Sequence, residues 1–255
     1  MSTKKQNLAR LDEIGRSLEK SEHALALIGL GSVGLELDRL DEYSDLDFFV
    51  LVEDGYKQTY LENLDWLSSI RSIAFRFMNT ADGYKLLFDD GIFCEFAVFE
   101  LDELVNIPFS EGRIVWKQPW VDASIAIPQK GVALPGQKPV DWLVGEALTN
   151  IFVGLNRLRR GEILSAERFI QHYAVDRVLE LISLTAQTQS ATRDPFAIER
   201  RFELRYPDIA PYLPGFIQGY ERSQESAESI LDFLEGHFEV DRKMAEVIVQ
   251  IIKPT

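Results

Sequence analysis

The hydrophobic pattern of the chain changes between about residues 105 and 140. Before this segment, short apolar runs rich in aromatic and β-branched residues alternate with turn signals, which is typical of strands. After it, long stretches carry apolar residues at helical spacing. The segment itself is rich in Pro and Gly, which break regular structure. We therefore predict an α+β chain whose mixed β-sheet domain with flanking helices, residues 1–135, precedes an all-α helical bundle, residues 136–255.

Individual elements follow from the same patterns. The predicted strands cover residues 24–30, 45–52, 71–79, 84–90 and 92–100. The tight Asp-Asp-Gly turn at 89–91 predicts an antiparallel hairpin between the last two. The predicted helices cover residues 5–21, 60–70, 139–161, 162–187, 223–238 and 240–253, with shorter, proline-broken helices over 193–216. Pro139 at the start and Gly161 just past the end mark one long helix.

Composition and charge limit the classes of function. The net charge of −14 argues against an extended nucleic-acid surface, because phosphate binding needs clustered Lys and Arg. No apolar stretch approaches the ~20 residues that span a bilayer, and the polar N-terminal segment has no secretory h-region. A single cysteine, Cys94, cannot form an internal disulfide. These features predict a cytoplasmic protein without a membrane partner.

Two aspartates lead directly into an apolar strand in the sequence Asp45-Leu46-Asp47-Phe-Phe-Val-Leu-Val. Residues i and i+2 of a strand point to the same face, so Asp45 and Asp47 should project side by side. Two adjacent carboxylates repel unless a cation lies between them or one takes up a proton. Mg²⁺ takes ligands from one or two carboxylates plus substrate phosphates, which an Asp-x-Asp pair can provide.

Glu95 is a third candidate acid, because it is the only charge in the apolar run Ile-Phe-Cys-Glu-Phe-Ala-Val-Phe. If its strand pairs beside the Asp-x-Asp strand, the three carboxylates can hold one or two divalent ions. Such ions clamp the attacking and leaving oxygens of a phosphoryl transfer. The neighbouring Cys94 should point to the opposite face, as a buried bystander rather than a nucleophile.

Gly31 and Ser32 follow the first strand, and we expect the chain to turn there into a helix. Backbone N–H groups in such a turn, and the helix N-terminus after it, form an anion site. Glycine lets the backbone approach a phosphate closely, and the hydroxyl of Ser32 can add a hydrogen bond. Phosphates at Gly-Ser and metal at Asp-x-Asp would form the two ends of one nucleoside triphosphate site.

This pattern of Gly-Ser, twelve residues and then Asp-Leu-Asp resembles the nucleotidyltransferase superfamily, which has a DNA polymerase β-like fold. The order of a sheet domain and a helical bundle is similar to the two-domain antibiotic nucleotidyltransferases that modify lincosamides and aminoglycosides. In the lincosamide nucleotidyltransferases the pattern "YSD" plus an acid recurs, and residues 43–47 resemble it here. The sequence "CEF" at 94–96 is similar to the motif that carries the third acid in those enzymes. The turn "LNRLRRGE" at 155–162 is similar to one in their helical domain.

The resemblance implies Mg²⁺-dependent transfer of a nucleoside monophosphate, from ATP or another nucleoside triphosphate, to a hydroxyl of a small molecule, with release of pyrophosphate. Asp45, Asp47 and Glu95 would hold the metal, and Glu95 would also be a candidate base. The resemblance also allows a homodimer. The alternatives are an antitoxin-like or regulatory protein of the same fold that acts on a protein partner, and a degenerate enzyme that binds nucleotide without chemistry.

No basic residue closely follows Gly31 and Ser32, because residues 33–37 are Val-Gly-Leu-Glu-Leu and carry no Lys or Arg. Arg39 or Lys85 would have to replace it, unless the metal neutralises most of the charge. In the helical half, Arg168, His172 and Asp176 recur every four residues and form one polar stripe. The stripe would either contact nucleotide or acceptor through His172, or be a solvated face. Glu167 is a further candidate acid on the acceptor side.

Overall fold

The computed structural model describes residues 3–130, 138–189, 194 and 197–253. The chain divides into two compact units, Met1–Ala133 and Leu134–Thr255. The domain boundary expected at residues 135 and 136 lies outside the described residues. Within the described ranges, none of the helices has both the length and the hydropathy that crossing a bilayer requires.

The first unit is built on one mixed sheet of six strands. Its strands are β1 (Ala24–Gly29), β2 (Leu46–Val52), β3 (Ile73–Thr80), β4 (Gly83–Phe88), β5 (Phe93–Glu100) and β6 (Arg113–Lys117). They lie in the order β3-β4-β5-β2-β1-β6. The β2–β5 pair is parallel and the other pairs are antiparallel, including the expected β4–β5 hairpin. The central position of β2 puts the Asp-x-Asp segment in the middle of one sheet end.

Helices cover one face of this sheet. They are α1 (Lys4–Lys20), α2 (Lys57–Glu62) and α3 (Asp65–Ser68), whereas Leu104 of α4 (Leu101–Leu104), which follows β5, is buried in the core on the opposite face. The apolar stripe of α1, including Leu11, Ile14 and Leu18, packs with Phe48 and Phe96 in a core that excludes water completely at most positions. A smaller core on the opposite face includes Leu51, Phe99 and Phe109.

Three expectations for this unit are wrong. The helix expected over 60–70 is two short helices, α2 and α3, which are separated at Asn63 and Leu64. Within the Pro/Gly-rich segment, Arg113–Lys117 forms the edge strand β6 and pairs with β1. The chain after β1 makes only a single 3₁₀ turn, Gly31–Val33, and not a helix, so no helix N-terminus is available there for an anion.

Helices are the one kind of regular structure among the described residues of the second unit. Its main helices are α5 (Val140–Arg159), α6 (Ile163–Glu167), α7 (Val175–Thr185), α8 (Phe202–Arg205), α9 (Leu213–Phe216), α10 (Ser223–His237) and α11 (Arg242–Ile252). Pro139 precedes α5, and Gly161, with φ +80°, follows its end, as the sequence predicts. Part of the expected 193–216 region, residues 193, 195 and 196, lies outside the described residues.

A π-helical segment, Arg168–Ala174, joins α6 to α7. The wider turn brings Gln171 into the interior, where its side chain is 1% exposed. The amide of Gln171 donates to the carbonyl of Gly219 (2.8 Å) and to the hydroxyl of Ser223 (3.0 Å), and it accepts from the N–H of Gly219 (2.8 Å). These three hydrogen bonds fix the turn that leads into α10.

Candidate active site

Asp45 lies immediately before β2, and Asp47 is its second residue. The strand alternates as expected: Leu46 and Phe48 are buried in the helix-covered core, whereas both aspartates are half-buried on the other face. The apolar residues fix the direction of the carboxylates, because a shift of one residue would bury the charges. The predicted pair therefore shares one face of a rigid central strand.

Glu95 lies directly beside this pair. In the parallel β2–β5 ladder, Asp47 is the register partner of Glu95, so their side chains point to the same face. The carboxylate of Glu95 is anchored by two donors, with Nζ of Lys85 3.3 Å from Oε2 and Nδ2 of Asn79 3.1 Å from Oε1. Lys85 is the register partner of Glu95 on β4. A row across three strands thus carries Lys85, Glu95 and Asp47.

Gly31 lies on the opposite side of Asp47 from Glu95, at the end of β1. Its φ of +50° is left-handed, a conformation that glycine adopts without steric cost. A Cβ at this position would lie 3.7 Å from Nη2 of Arg39 and 3.8 Å from Oδ2 of Asp47. The glycine therefore leaves a gap, with room for at least a methyl group, between a guanidinium and a carboxylate.

Arg39 reaches this gap from the loop between β1 and β2. Its guanidinium forms an ion pair with Glu36, and both side chains are mostly buried, at 22% and 27% exposed. Of the two basic residues that the sequence offers for a triphosphate, Arg39 is therefore beside Gly31, whereas Lys85 is beside the third acid. A nucleotide-binding role for either residue stays a prediction.

The turn of Gly31 and Ser32 is held by hydrogen bonds from two sides. The N–H of Leu30 donates to the carbonyl of Asp47 (2.8 Å), which ties the turn to the Asp-x-Asp strand. Arg113 of β6 donates from Nε (3.2 Å) and Nη2 (3.0 Å) to the carbonyl of Val33. Ser32 is half-buried in the turn. The missing helix is thus replaced by cross-strand hydrogen bonds that fix the position of the turn.

The loop before Asp45 is fixed by a buried side chain of α1. Asn7 is fully buried and donates to the carbonyl of Ser44 (3.1 Å). Asp41 and Ser44 close a small turn, in which the hydroxyl of Ser44 donates to Oδ1 of Asp41 (3.0 Å). Asp41 therefore has a local structural role, and Asp45 enters β2 from an ordered turn.

The predicted ligands suit a magnesium ion that also binds phosphate oxygens. Asp45 and Asp47 are two residues apart, or ~7 Å along the strand, and Glu95 is one strand spacing, ~5 Å, from Asp47. Their carboxylate oxygens do not all come within 4.8 Å of one another. Because Mg²⁺ is held by one or two carboxylates with waters and phosphates, and the Gly31 gap adjoins Asp47, the donor set fits such an ion.

A second acidic cluster lies at the other end of the same two strands. The carboxylate oxygens of Asp54, Glu100 and Asp102 are all within 4.8 Å of one another, the one such group among the described residues. Oε1 of Glu100 accepts from the N–H of Gly55 (2.8 Å), and Glu100 caps α4. Glu100 of this cluster is five residues, or ~16 Å, along β5 from Glu95. The sequence predictions did not identify it.

Cys94 points away from the candidate site, into the core on the other face of the sheet. Cys94 is buried on the helix-covered face, and burial raises the pKa of its thiol far above the ordinary value, so it is an inert thiol as expected.

Arg168, His172 and Asp176 are all exposed in the second unit. Nε2 of His172 lies 2.9 Å from Oε1 of Glu167, five residues earlier, because the π-helical turn aligns i with i+5. A ligand-binding role for His172 stays a prediction.

Sequence reasoning missed Asn79 and Arg113, which contact groups of the site. Asn79 stands at the end of the predicted strand 71–79, but the sequence carries no signal that links it to Glu95. Arg113 stands in the Pro/Gly-rich segment. The available signal for Arg113 was the alternation of Arg-Ile-Val-Trp-Lys, which is β-type despite its surroundings.

Comparison with known proteins gives little beyond these observations. No protein-family model matches the chain, and no curated protein matches it. Among solved structures, the chain is similar to an aminoglycoside 6-adenyltransferase from Bacillus subtilis, at 14% sequence identity and a TM-score of 0.35. The alignment covers 99% of this chain and 92% of that chain. At this TM-score the likeness does not bear on what this chain does.

Proposed function

We propose that this chain transfers a nucleoside monophosphate, from ATP, to a hydroxyl group of a small molecule. The observation that carries the proposal is the arrangement around Asp47. Its carboxylate adjoins the gap at Gly31 and the guanidinium of Arg39 on one side, and Glu95 on the other. One end suits an anionic triphosphate, and the other suits the hydroxyl that attacks it.

Each residue has a defined task in this reaction. Gly31 and Arg39 receive the phosphates, because glycine admits them and the guanidinium donates two parallel hydrogen bonds to an oxyanion. Asp45 and Asp47 would hold Mg²⁺ with Glu95, and the ion would neutralise charge on the phosphate oxygens. Glu36 now pairs with Arg39, so a triphosphate must compete with Glu36 for the guanidinium.

In the transfer itself, the acceptor oxygen forms a bond to the α-phosphorus. The bond from that phosphorus to the bridging oxygen breaks, and pyrophosphate leaves with the electron pair. The proton of the hydroxyl passes to the carboxylate of Glu95, which Asn79 and Lys85 hold in place. Positioning and charge neutralisation would supply most of the rate enhancement.

The test is transfer of label from α-labelled ATP, with Mg²⁺, to a panel of lincosamides, aminoglycosides and simple sugars. Asp45→Asn and Asp47→Asn should each reduce transfer at least ~100-fold in a folded protein, because each removes one anionic ligand. Asp54→Asn, in the second acidic cluster, is the matched control and should keep full activity. Equal loss in all three variants, or retained activity in either of the first two, would refute the assignment.

A further inference from the structure

The face of the sheet that carries Asp47 and Glu95 continues onto β4 and β3 as an apolar surface. Register partners on neighbouring strands share a face. One row across β5, β4 and β3 therefore carries Glu95, Lys85 and Phe77. The adjacent row across the same three strands carries Phe93, Leu87 and Phe75. We call Phe75, Phe77, Leu87 and Phe93 the aromatic shelf.

The shelf is accessible at its outer end. Phe75 is 55% exposed and Phe77 is 57% exposed, whereas Leu87 and Phe93 are half-buried. Exposure of two neighbouring phenyl rings is costly, since each Å² of apolar surface in water costs about 25 cal/mol. Strand formation does not require aromatic residues there, because β3 is an edge strand and its other face is also largely exposed.

The position of the shelf determines what it would contact. Gly31 and Arg39 lie on the β1 side of Asp47, so the phosphates belong on that side in the proposed function. The β5–β4–β3 side is then left for the acceptor, whose hydroxyl must reach Glu95. A molecule bound there extends over the shelf, since Phe77 is two strand spacings, ~10 Å, from Glu95.

The charges on this side exclude one kind of acceptor. On this face, β3 and β4 present Phe75, Phe77, Asn79, Lys85 and Leu87, none of which is a carboxylate. A polycationic acceptor needs several carboxylates, and here Glu95 is already paired with Lys85. An uncharged acceptor with an apolar or aromatic portion instead buries that portion on the phenyl rings.

From this placement we propose that the acceptor is an amphipathic hydroxylated molecule, and that its apolar portion binds the aromatic shelf. This inference rests on the proposed function for the location of the reacting hydroxyl. The occupant is a small molecule rather than a second copy of the chain, because the shelf is continuous with the carboxylate row of the candidate site.

The experiment compares glucosides that share their hydroxyls and differ in the group at the anomeric oxygen. Equilibrium dialysis of labelled methyl and phenyl β-D-glucosides would measure binding without requiring transfer. We expect the phenyl glucoside to bind at least tenfold more tightly. Phe75→Ser/Phe77→Ser should abolish this preference, whereas Ile127→Ser, a control of matched 53% exposure, should preserve it. The affinity of all three proteins for ATP with Mg²⁺ should agree within twofold.

Four results would overturn the inference. In binding, these are equal affinity for the two glucosides and a preference that survives in the double variant. The third is a change from dimer to monomer on that substitution, which would assign the shelf to a subunit interface, and the fourth concerns transfer. Failure of the proposed function can be distinguished from failure of this inference, because it would appear as the absence of any label transfer by the wild-type protein. Transfer to a polar aminoglycoside at an unchanged rate in the double variant would keep the proposed function and refute the shelf.

Discussion

Gly31→Ala separates the conformational role of this glycine from its role at the gap. The φ of +50° costs an alanine about 1–2 kcal/mol relative to glycine. No clash adds to this, because the new Cβ would lie 3.7 Å from Arg39 and 3.8 Å from Asp47, at ordinary contact distances. The variant should therefore fold, with its free energy of unfolding lower by about that amount.

The added methyl group would nevertheless occupy the space where a phosphate must lie. At a concentration of ATP with Mg²⁺ one hundred times the dissociation constant, the wild-type protein should gain about 2.7 kcal/mol of stability. If the methyl group weakens binding tenfold, the gain at that concentration falls to about 1.4 kcal/mol. Urea denaturation with and without the nucleotide measures both quantities in one assay.

Gly91→Ala is the matched control for the strain. Gly91 lies in the same unit with φ +87°, and nothing comes within 4 Å of a Cβ there. Its alanine variant should lose similar stability but keep the full gain from ATP with Mg²⁺. A Gly31→Ala protein that gains as much as Gly91→Ala would show that the gap is not a phosphate site, and the reasoning from Gly31 would be wrong.

Three other substitutions test further contacts. Glu36→Gln releases Arg39 from its ion pair and should tighten ATP binding two- to fivefold, which corresponds to the loss of a pair worth about 0.5–1 kcal/mol. Titration calorimetry measures this affinity, and weaker binding in the variant would contradict the prediction. Burial alone would raise the pKa of Asp90, but the hydrogen bond from Arg10 (2.7 Å), the charge of Arg10, the N–H of Ile92 and the charge of Arg71 together outweigh burial and leave that pKa below its ordinary value. Asp90→Asn should therefore lower the free energy of unfolding by about 2 kcal/mol at pH 7. In urea denaturation, the difference from the wild-type protein should disappear as the pH falls through the folded-state pKa of Asp90, below about 4. A difference that stays constant with pH would exclude the ion pair as its source. Gln171→Ala removes three buried hydrogen bonds and should cost about 2–4 kcal/mol, whereas the exposed neighbour variant His172→Ala should stay within about 0.5 kcal/mol; equal effects would refute the anchoring role.

The acidic part of the site was predictable from sequence because strand alternation is a strong constraint. Leu46 and Phe48 must be buried, so Asp45 and Asp47 must share the other face. The same logic applies to Glu95 between buried neighbours in β5. Adjacency of the two strands was only a condition in the sequence argument, and the parallel β2–β5 ladder now fulfils it.

The remaining contacts of the site could not be predicted, because they depend on pairings across long sequence separations. Arg113 meets Val33 only because β6 pairs with β1, and Asn79 meets Glu95 only because β3 and β4 lie beside β5. Likewise, nothing local distinguishes Arg39 from Lys85 as the residue near Gly31. Tertiary register decides each of these contacts, and single-sequence patterns carry no information on it.

The helical stripe shows how such a distant contact alters even local periodicity. A regular α-helix would align His172 with Arg168, four residues away, as the sequence spacing predicts. The hydrogen bonds of Gln171 lie 48 and 52 residues along the chain, at Gly219 and Ser223, and they accompany a π-helical turn that rotates Gln171 inward. His172 is thereby aligned with Glu167 instead. The four-residue spacing predicted a polar stripe and no partner for His172, and any acid–base role for His172 has to be tested together with Glu167.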